Sequence, residues 1–482
     1  MRTGNESKAG LLSRIRDGKD MTLRQQLRLT ALLSVPAIIA QISTVAMQYI
    51  DAAMVGSLGA SASASIGLMS TTLWLFWGLC SAATTGFSVQ VAHLLGAKRG
   101  NEAKSVLRQS FAATLLFSVA LLIVGFSISE RLPFWLGGSA NIAENATAYF
   151  RIFVLALPAL QLNFLAGSML RSSGNMLVPG ALNVLMCLLD VVFNWLLIFP
   201  SREISVMGLR LFVPGADMGV AGAALGTVLA EAVVAAAMLW FLCFRSADLK
   251  LAGTRGRFRP RKKCLKQALR ISLPMGGEHA VLCGAHIMTT VIVAPLGTVA
   301  IAANAFAIIA ESLCYMPGYG IADAATTLIG QSLGAARKNL AKRFAHITVF
   351  SGMAIMGVMG AVMFLSAPAV MAWMTPDADV RELGAAILRI EAFAEPMFAA
   401  SIIAYGVFVG AGDTLIPCAM NLFSIWAVRL SSAALLAPHF GLRGVWIAMC
   451  HELCFRGFIF LFRLLRNKWL ERPSVALPQT GT

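Results

Sequence analysis

The residues of this chain that speak most directly of chemistry are carboxylates set in apolar surroundings. Asp51 closes the stretch Gln48-Tyr49-Ile50-Asp51 inside an apolar run near 30 to 57, and Asp190 lies in another near 178 to 199. An ionised side chain at the centre of a bilayer costs about 2.5 to 3.5 kcal/mol on insertion scales, so such acids mark function by default. Asn183, Asp190 and Asn194 are spaced by 7 and 11 residues from the first, which returns a helix to one face. Two carboxylates and neighbouring amides facing a crevice can hold a proton, which relieves desolvation and like-charge repulsion, or a sodium ion, which keeps them ionised. Asp51, Asp190, Asn194 and Asn183 are therefore the candidate cation-coupling residues, with Na+ at Asp51 and Asp190 as one possible occupant.

The second half carries its own intramembrane acids. Glu278 follows Pro274, Glu311 lies in the middle of an apolar run, Glu391 and Glu395 share a helical face, and Glu452 lies four residues before Arg456. That last spacing predicts an i,i+4 ion pair and a structural role for Glu452. Glu278, Glu395 and Glu311 are the candidate contacts for a cationic substrate. Arg429 and Arg456 require carboxylate or carbonyl partners if buried. His279, His286 and His451 read as packing residues, and Trp74 and Trp77 as lipid-facing or as walls for flat aromatic compounds. Nine cysteines show no CxxC and no zinc-ligand spacing with His. There is no GxxxxGK[ST] loop for ATP and no nucleophile with a nearby base. The chain does not read as an enzyme, and no cofactor is expected beyond a coupling ion, H+ or Na+.

These side chains need lipid-spanning elements to hold them. Of 482 residues 58% are hydrophobic and 13% charged, with a mean hydropathy of +0.74, outside the soluble range. Runs of about 20 apolar residues, each able to cross a core of roughly 30 Å, fall near 30–57, 62–90, 107–129, 148–172, 178–199 and 219–244, then 271–295, 301–329, 343–366, 386–409, 415–437 and 442–465. The fold class is thus an all-α polytopic membrane protein of twelve spans. No cleavable signal is expected in the first 28 residues, which are polar and basic. The net charge of +16 concentrates at Arg14, Arg16, Lys19 and Arg24, at Lys98, Arg99 and Lys104, at Arg255, Arg257, Arg259, Arg261, Lys262, Lys263 and Lys266, and at Arg337, Lys338, Lys342 and Arg343. All lie on one side, which makes both termini cytoplasmic and explains the charge without nucleic acid.

An internal repeat organises the spans. A shift of 238 residues carries Pro36 to Pro274, Gly59 to Gly297, Gly96 to Gly334, Arg99 to Arg337, Pro158 to Pro396, Gly174 to Gly412 and Asn183 to Asn421. After span five the first half holds 16 extra residues, and Gly219 and Gly222 then match Gly441 and Gly444 at a shift of 222. Six spans per repeat keep both halves in one orientation around an axis along the membrane normal. The expected division is a segment 1–29, an N-lobe 30–244, a basic linker 245–270, a C-lobe 271–466 and a tail 467–482, with a cleft between lobes that alternating access can use. None of the second-half acids has a first-half acid at its repeat position, so one lobe is expected to bind the ion and the other to shape the substrate cavity.

Asp51-Ala-Ala-Met-Val-Gly56-Ser-Leu-Gly59, Gly96-Ala97-Lys98-Arg99, Met316-Pro317 with Gly320, Gly330-Gln331-Ser-Leu-Gly334-Ala, Gly410-Ala411-Gly412-Asp413-Thr414 and Trp426-Ala-Val-Arg429 resemble the multidrug and toxic compound extrusion transporters, across essentially all twelve spans. The resemblance implies a bacterial inner-membrane exporter, read as a monomer, that exchanges cationic, aromatic or amphipathic drugs for protons or sodium by rocking one lobe against the other. It implies that Asp51 is the N-lobe coupling carboxylate, that Glu278 matches an acid found on span seven of some members, and that Glu395 lies close to one on span ten. Many members place an Asn four residues before an acid on span five. Here Asp190 and Asn194 stand in the reverse order. A lipid-linked saccharide flippase of related fold is the alternative, and a non-transporting membrane scaffold a more distant one.

Overall fold

The computed structural model describes residues 7–206 and 209–471; the end of the expected tail, 472–482, lies outside them. A short helix α1 (Lys8–Arg16) precedes α2 (Leu23–Gly56), α3 (Ala60–Gly96), α4 (Gly100–Ile128), a single turn α5 (Leu132–Trp135), α6 (Ala140–Ser172) and α7 (Leu177–Ile198). An antiparallel hairpin of β1 (Pro200–Val206) and β2 (Leu209–Ala216) leads to α8 (Gly219–Trp240). The hairpin accounts for the 16 residues by which the first half exceeds the second. The second half comprises α9 (Lys262–Val293), α10 (Thr298–Gly334), α11 (Lys338–Met374), α12 (Ala378–Ala392), α13 (Glu395–Gly410), α14 (Leu415–Phe423) and α15 (Ser431–Leu465).

Among the described residues, ten helical stretches are long and apolar enough to cross a bilayer, and the pair α12–α13, bent by 58°, adds an eleventh. The longest stretch, Leu415–Leu465, has 51 residues, about 76 Å at 1.5 Å per residue, and so makes two crossings. They meet at Gly441, whose φ of 58° is left-handed backbone that glycine adopts without a Cβ penalty. Twelve spans result, at the positions read from hydropathy. Two details differ from that reading. Span ten is broken at Phe393-Ala394 before Pro396, which cannot donate to the preceding turn. The linker is also shorter than 245–270, because α9 is helical from Lys262.

The repeat is written in the backbone as well as in the residue types. Left-handed φ values recur at Gly59 and Gly297 (106° and 97°), Lys98 and Ala336 (59° and 58°), Gly174 and Gly412 (86° and 75°), and Gly219 and Gly441 (53° and 58°). Each pair marks the same break between spans in both halves. Between the halves, α2 packs on α10 and α3 on α9. Backbones approach closely where glycine leaves room: a Cβ on Gly320 would strike the backbone of Ile38, one on Gly86 the carbonyl of Ala268, one on Gly96 that of Gln331, and one on Gly334 that of His93. Small residues at such crossings are how helices pack in lipid, where apolar burial gives no preference for one helix neighbour over a lipid tail. Toward the basic face these crossings carry hydrogen bonds from one half to the other. His93 Nε2 meets the Gly410 carbonyl (2.8 Å), Gln90 Nε2 donates to Cys264 (3.2 Å), Gln331 Nε2 donates to Ser172 (2.8 Å) and Thr327 Oγ1 to Arg171 (3.0 Å).

Candidate functional site

In the first half, α2 and α7 meet far from the basic face, and there the amide of Asn194 joins two carboxylates. Its Nδ2 donates to Asp51 Oδ1 (2.8 Å) and to Asp190 Oδ2 (3.1 Å). Asp190 and Asn194 are fully buried and Asp51 half-buried. The spacing of four residues stacks Asp190 and Asn194 on one helix face, and α8 seals that face. A Cβ on Gly226 would overlap the Asn194 side chain, so glycine is what lets α8 approach. Thr227 of α8 lies beside Asp190, and Tyr149 of α6 is within electrostatic reach of both acids. The remaining oxygens Asp190 Oδ1 and Asn194 Oδ1 have no hydrogen-bond partner, Asn194 Oδ1 lying against Gly226 of α8. Asn183, two turns earlier, is half-buried and joins none of these hydrogen bonds among the described residues. The spacing brings Asp190 and Asn194 together, whereas Asn183 lies two turns away along the same helix.

In the second half, the acids separate into two sets. Glu278 of α9 accepts from Tyr405 Oη (2.6 Å) and from Asn421 Nδ2 (2.6 Å). The other set surrounds two arginines. Glu452 accepts from Arg429 Nη2 (2.6 Å) and Nε (3.0 Å) and from Ser424 Oγ (2.5 Å), and it pairs with Arg456 at 3.1 Å, the i,i+4 contact read from the sequence. Ser424 and Arg429 reach it because residues Ser424–Leu430 form a π-helical stretch between α14 and α15, a local widening that turns them toward the same neighbour. Arg456 also covers the ring of Phe398 at 5.3 Å. Glu311 is nearly buried and lies within electrostatic reach of Arg429 and Arg456. Glu391 and Glu395 are fully buried, and all four of their carboxylate oxygens are without a hydrogen-bond partner. The bend between α12 and α13 places Glu395 in the first turn of α13, against Gly360 of α11, where a Cβ would crowd it.

Of the three expected substrate contacts, Glu311 and Glu395 thus belong to one cluster with Glu391, whereas Glu278 sits apart with its own donors. Trp74 packs edge-on against His279 and His286 at 5.7 and 5.4 Å, so the aromatic belongs to the contact of α3 with α9. Trp77 packs on Phe153 at 6.2 Å. Sequence reasoning missed Glu231 of α8, buried within reach of Asp190, and Asp323 of α10, 3.9 Å from Arg171 of the other half. It also missed Tyr405. A signal was there: the chain has five tyrosines, and Tyr149, Tyr315, Tyr319 and Tyr405 all lie within reach of intramembrane acids, with Tyr49 beside Tyr315.

The fold is that of known transporters. A MOP superfamily transporter from Pyrococcus furiosus superposes with a TM-score of 0.84 at 20% identity, covering 97% of this chain and 100% of that one. The Vibrio cholerae MATE transporter VcmN, solved as a point mutant, gives 0.80 at 17%, covering 96% and 99%. Two homologous six-span bundles, each with acids buried inside the membrane, define a two-lobe membrane transporter. The MatE family model matches residues 36–196 and 274–435, two copies that begin at the repeat-related prolines Pro36 and Pro274. The chain belongs to the MatE family, the multidrug and toxic compound extrusion transporters. Among curated relatives, the probable multidrug resistance protein NorM of Thermotoga maritima is 25% identical over 442 residues, 91% of this chain and 92% of that protein. The NorM of Mesorhizobium japonicum is 28% identical over 472 residues, 94% and 96%.

Proposed function

We propose that this protein exports cationic, aromatic or amphipathic compounds from the bacterial cytoplasm in exchange for H+ or Na+, as a monomer in the inner membrane with its basic face and both termini cytoplasmic. The observation that carries the reading is the amide of Asn194 held between Asp51 and Asp190. Carboxylates from two helices share one amide donor, and Asp190 Oδ1 has no hydrogen-bond partner of its own; two such groups are held together by a proton or a cation far better than bare. Uptake there draws α2 toward α7. Because α2 also packs on α10 through Ile38 and Gly320, a shift of α2 bears on the cleft between the lobes. Cargo contact then falls to Glu278, Glu311 and Glu395. A membrane potential adds about 2.3 kcal/mol per charge per 100 mV to the driving force.

The surplus of acid favours cationic cargo over an anionic saccharide lipid. Glu311 and Glu391 lie near Arg429 and Arg456, which Glu452 already engages, Glu395 lies near Glu311, and Glu278 is held by the neutral donors Tyr405 and Asn421. The test is reconstitution in liposomes with a fluorescent cation such as ethidium, a pH or a sodium gradient being imposed in turn. One gradient should drive dye uphill in the wild type, and Asp51→Asn should reduce that movement to the protein-free rate while remaining folded. Movement with neither gradient, for any of several dyes, would defeat the antiport reading and favour the flippase.

A further inference from the structure

The N-terminal helix α1 does not trail from the bundle. It lies across the basic face where the two lobes meet, and its side chains are shared between them. Leu11, Leu12 and Ile15 are buried in an apolar cluster with Leu328, Leu333, Leu340 and Phe344 of the second half and Met176 of the first. Leu12 fills the space above Gly174, where a Cβ would strike it. Arg16 is the central polar contact. It grips Asp248, just beyond α8, through Nη1 (3.1 Å) and Nη2 (2.9 Å), donates to the Ser173 carbonyl (3.3 Å), and reaches Gln331 of α10 through Nε (3.3 Å). Gln331 in turn donates to Ser172 at the end of α6. The turn after α1 repeats the pattern: Asp17 pairs with Lys98 of the first half at 2.5 Å, and Arg337 of the second donates to the carbonyls of Lys19 (2.7 Å) and Arg14 (3.1 Å). The hydrogen bond from Lys98 holds the Asp17 carboxyl below its ordinary range, so it stays charged at neutral pH.

We propose that α1 is a latch that holds the lobes together at the basic face. Opening that face must part Gln331 from Ser172 and Ser173, and Arg16 bridges both sides of that gap, so the helix must release one lobe before the face opens. Arg16 is buried enough for its charge-assisted bonds to matter, unlike an isolated surface pair. The consequence for transport rests on the alternating-access reading above, but the test does not.

Hydrogen–deuterium exchange of the full chain in lipid nanodiscs reads the opening directly, as amide exchange follows the local opening equilibrium. Arg16→Ala should speed exchange at 92–97 and 329–335, the crossing of α3 with α10, by about tenfold or more, the effect of losing a charge-assisted hydrogen bond. Exchange in 220–230 of α8 should stay unchanged, which reports that the fold is intact. Arg16→Asp combined with Asp248→Arg should return both crossing segments toward the wild-type rate. If α1 itself exchanges faster while the crossing segments do not, α1 is a passive cap and the proposal fails. Should Arg16→Ala also loosen 220–230, Asp248→Asn is read in the same way. Unchanged crossing segments in that variant would overturn the latch as well.

Discussion

Asn194 is a neutral donor placed where two acceptors would otherwise repel, and that makes its exchange with Asp190 informative. Asp190→Asn or Asn194→Ala alone should lower dye transport about ten- to hundredfold, the range expected for loss of a hydrogen bond to a charged group. The double exchange Asp190→Asn with Asn194→Asp keeps one acid and one amide on the same face and should recover much of the loss, measured as initial transport rate in proteoliposomes. Transport left unaffected by either single change would remove Asp190 and Asn194 from the coupling site. Around Glu278 the expectation differs. Tyr405→Phe removes one of its hydrogen-bond donors, so thermal unfolding in detergent should move down by an amount equivalent to about 1.5 to 3 kcal/mol. These partnerships were hidden from the sequence for one reason: Asp51 and Asn194 are 143 residues apart, as are Glu278 and Asn421, and no periodicity within one helix reports on its neighbour.

At the scale of elements, hydropathy located every span because each apolar run is long and ends at charges. The features it missed are those in which a helix departs from regularity. The bend at Phe393-Ala394 and the π stretch Ser424–Leu430 move Glu395 and Arg429, and neither leaves a trace in residue spacing beyond Pro396. α1 was read only as polar and basic, since three large apolar residues, Leu11, Leu12 and Ile15, among nine give too weak a pattern to predict a docked face. Close approach by glycine was legible as residue type but not as contact. Gly226→Val should therefore act on a site it does not belong to, displacing Asn194 and reducing transport as far as Asn194→Ala does, while Gly100→Val, where a Cβ meets nothing within 4 Å, should leave transport near wild type.

For the molecule as a whole, the repeat explains why the two halves resemble each other and where they part. In both, the first span is tied to the fifth by an acid on one and an asparagine on the other, Asp51 with Asn194 and Glu278 with Asn421. Subtracting the repeat shift places Glu278 opposite Ala40, eleven residues nearer the basic face than Asp51, or about 16 Å along a helix. One connection recurs at two depths, far from the basic face in the first half and near the middle of the span in the second. The charged trio in the last two spans bears on how the chain is made. Glu452 and Arg456 are neutralised within one helix, whereas among the described residues the carboxylate that Arg429 on the preceding span hydrogen-bonds lies on the next, and an arginine without such a partner raises the cost of entering lipid by about 2.5 to 3.5 kcal/mol. Span eleven thus depends for its insertion on a residue synthesised after it, and the two should leave the translocon as a hairpin turned at Gly441. A chain truncated at residue 440 should accordingly integrate span eleven poorly in a glycosylation-mapping assay, and Arg429→Leu should restore it.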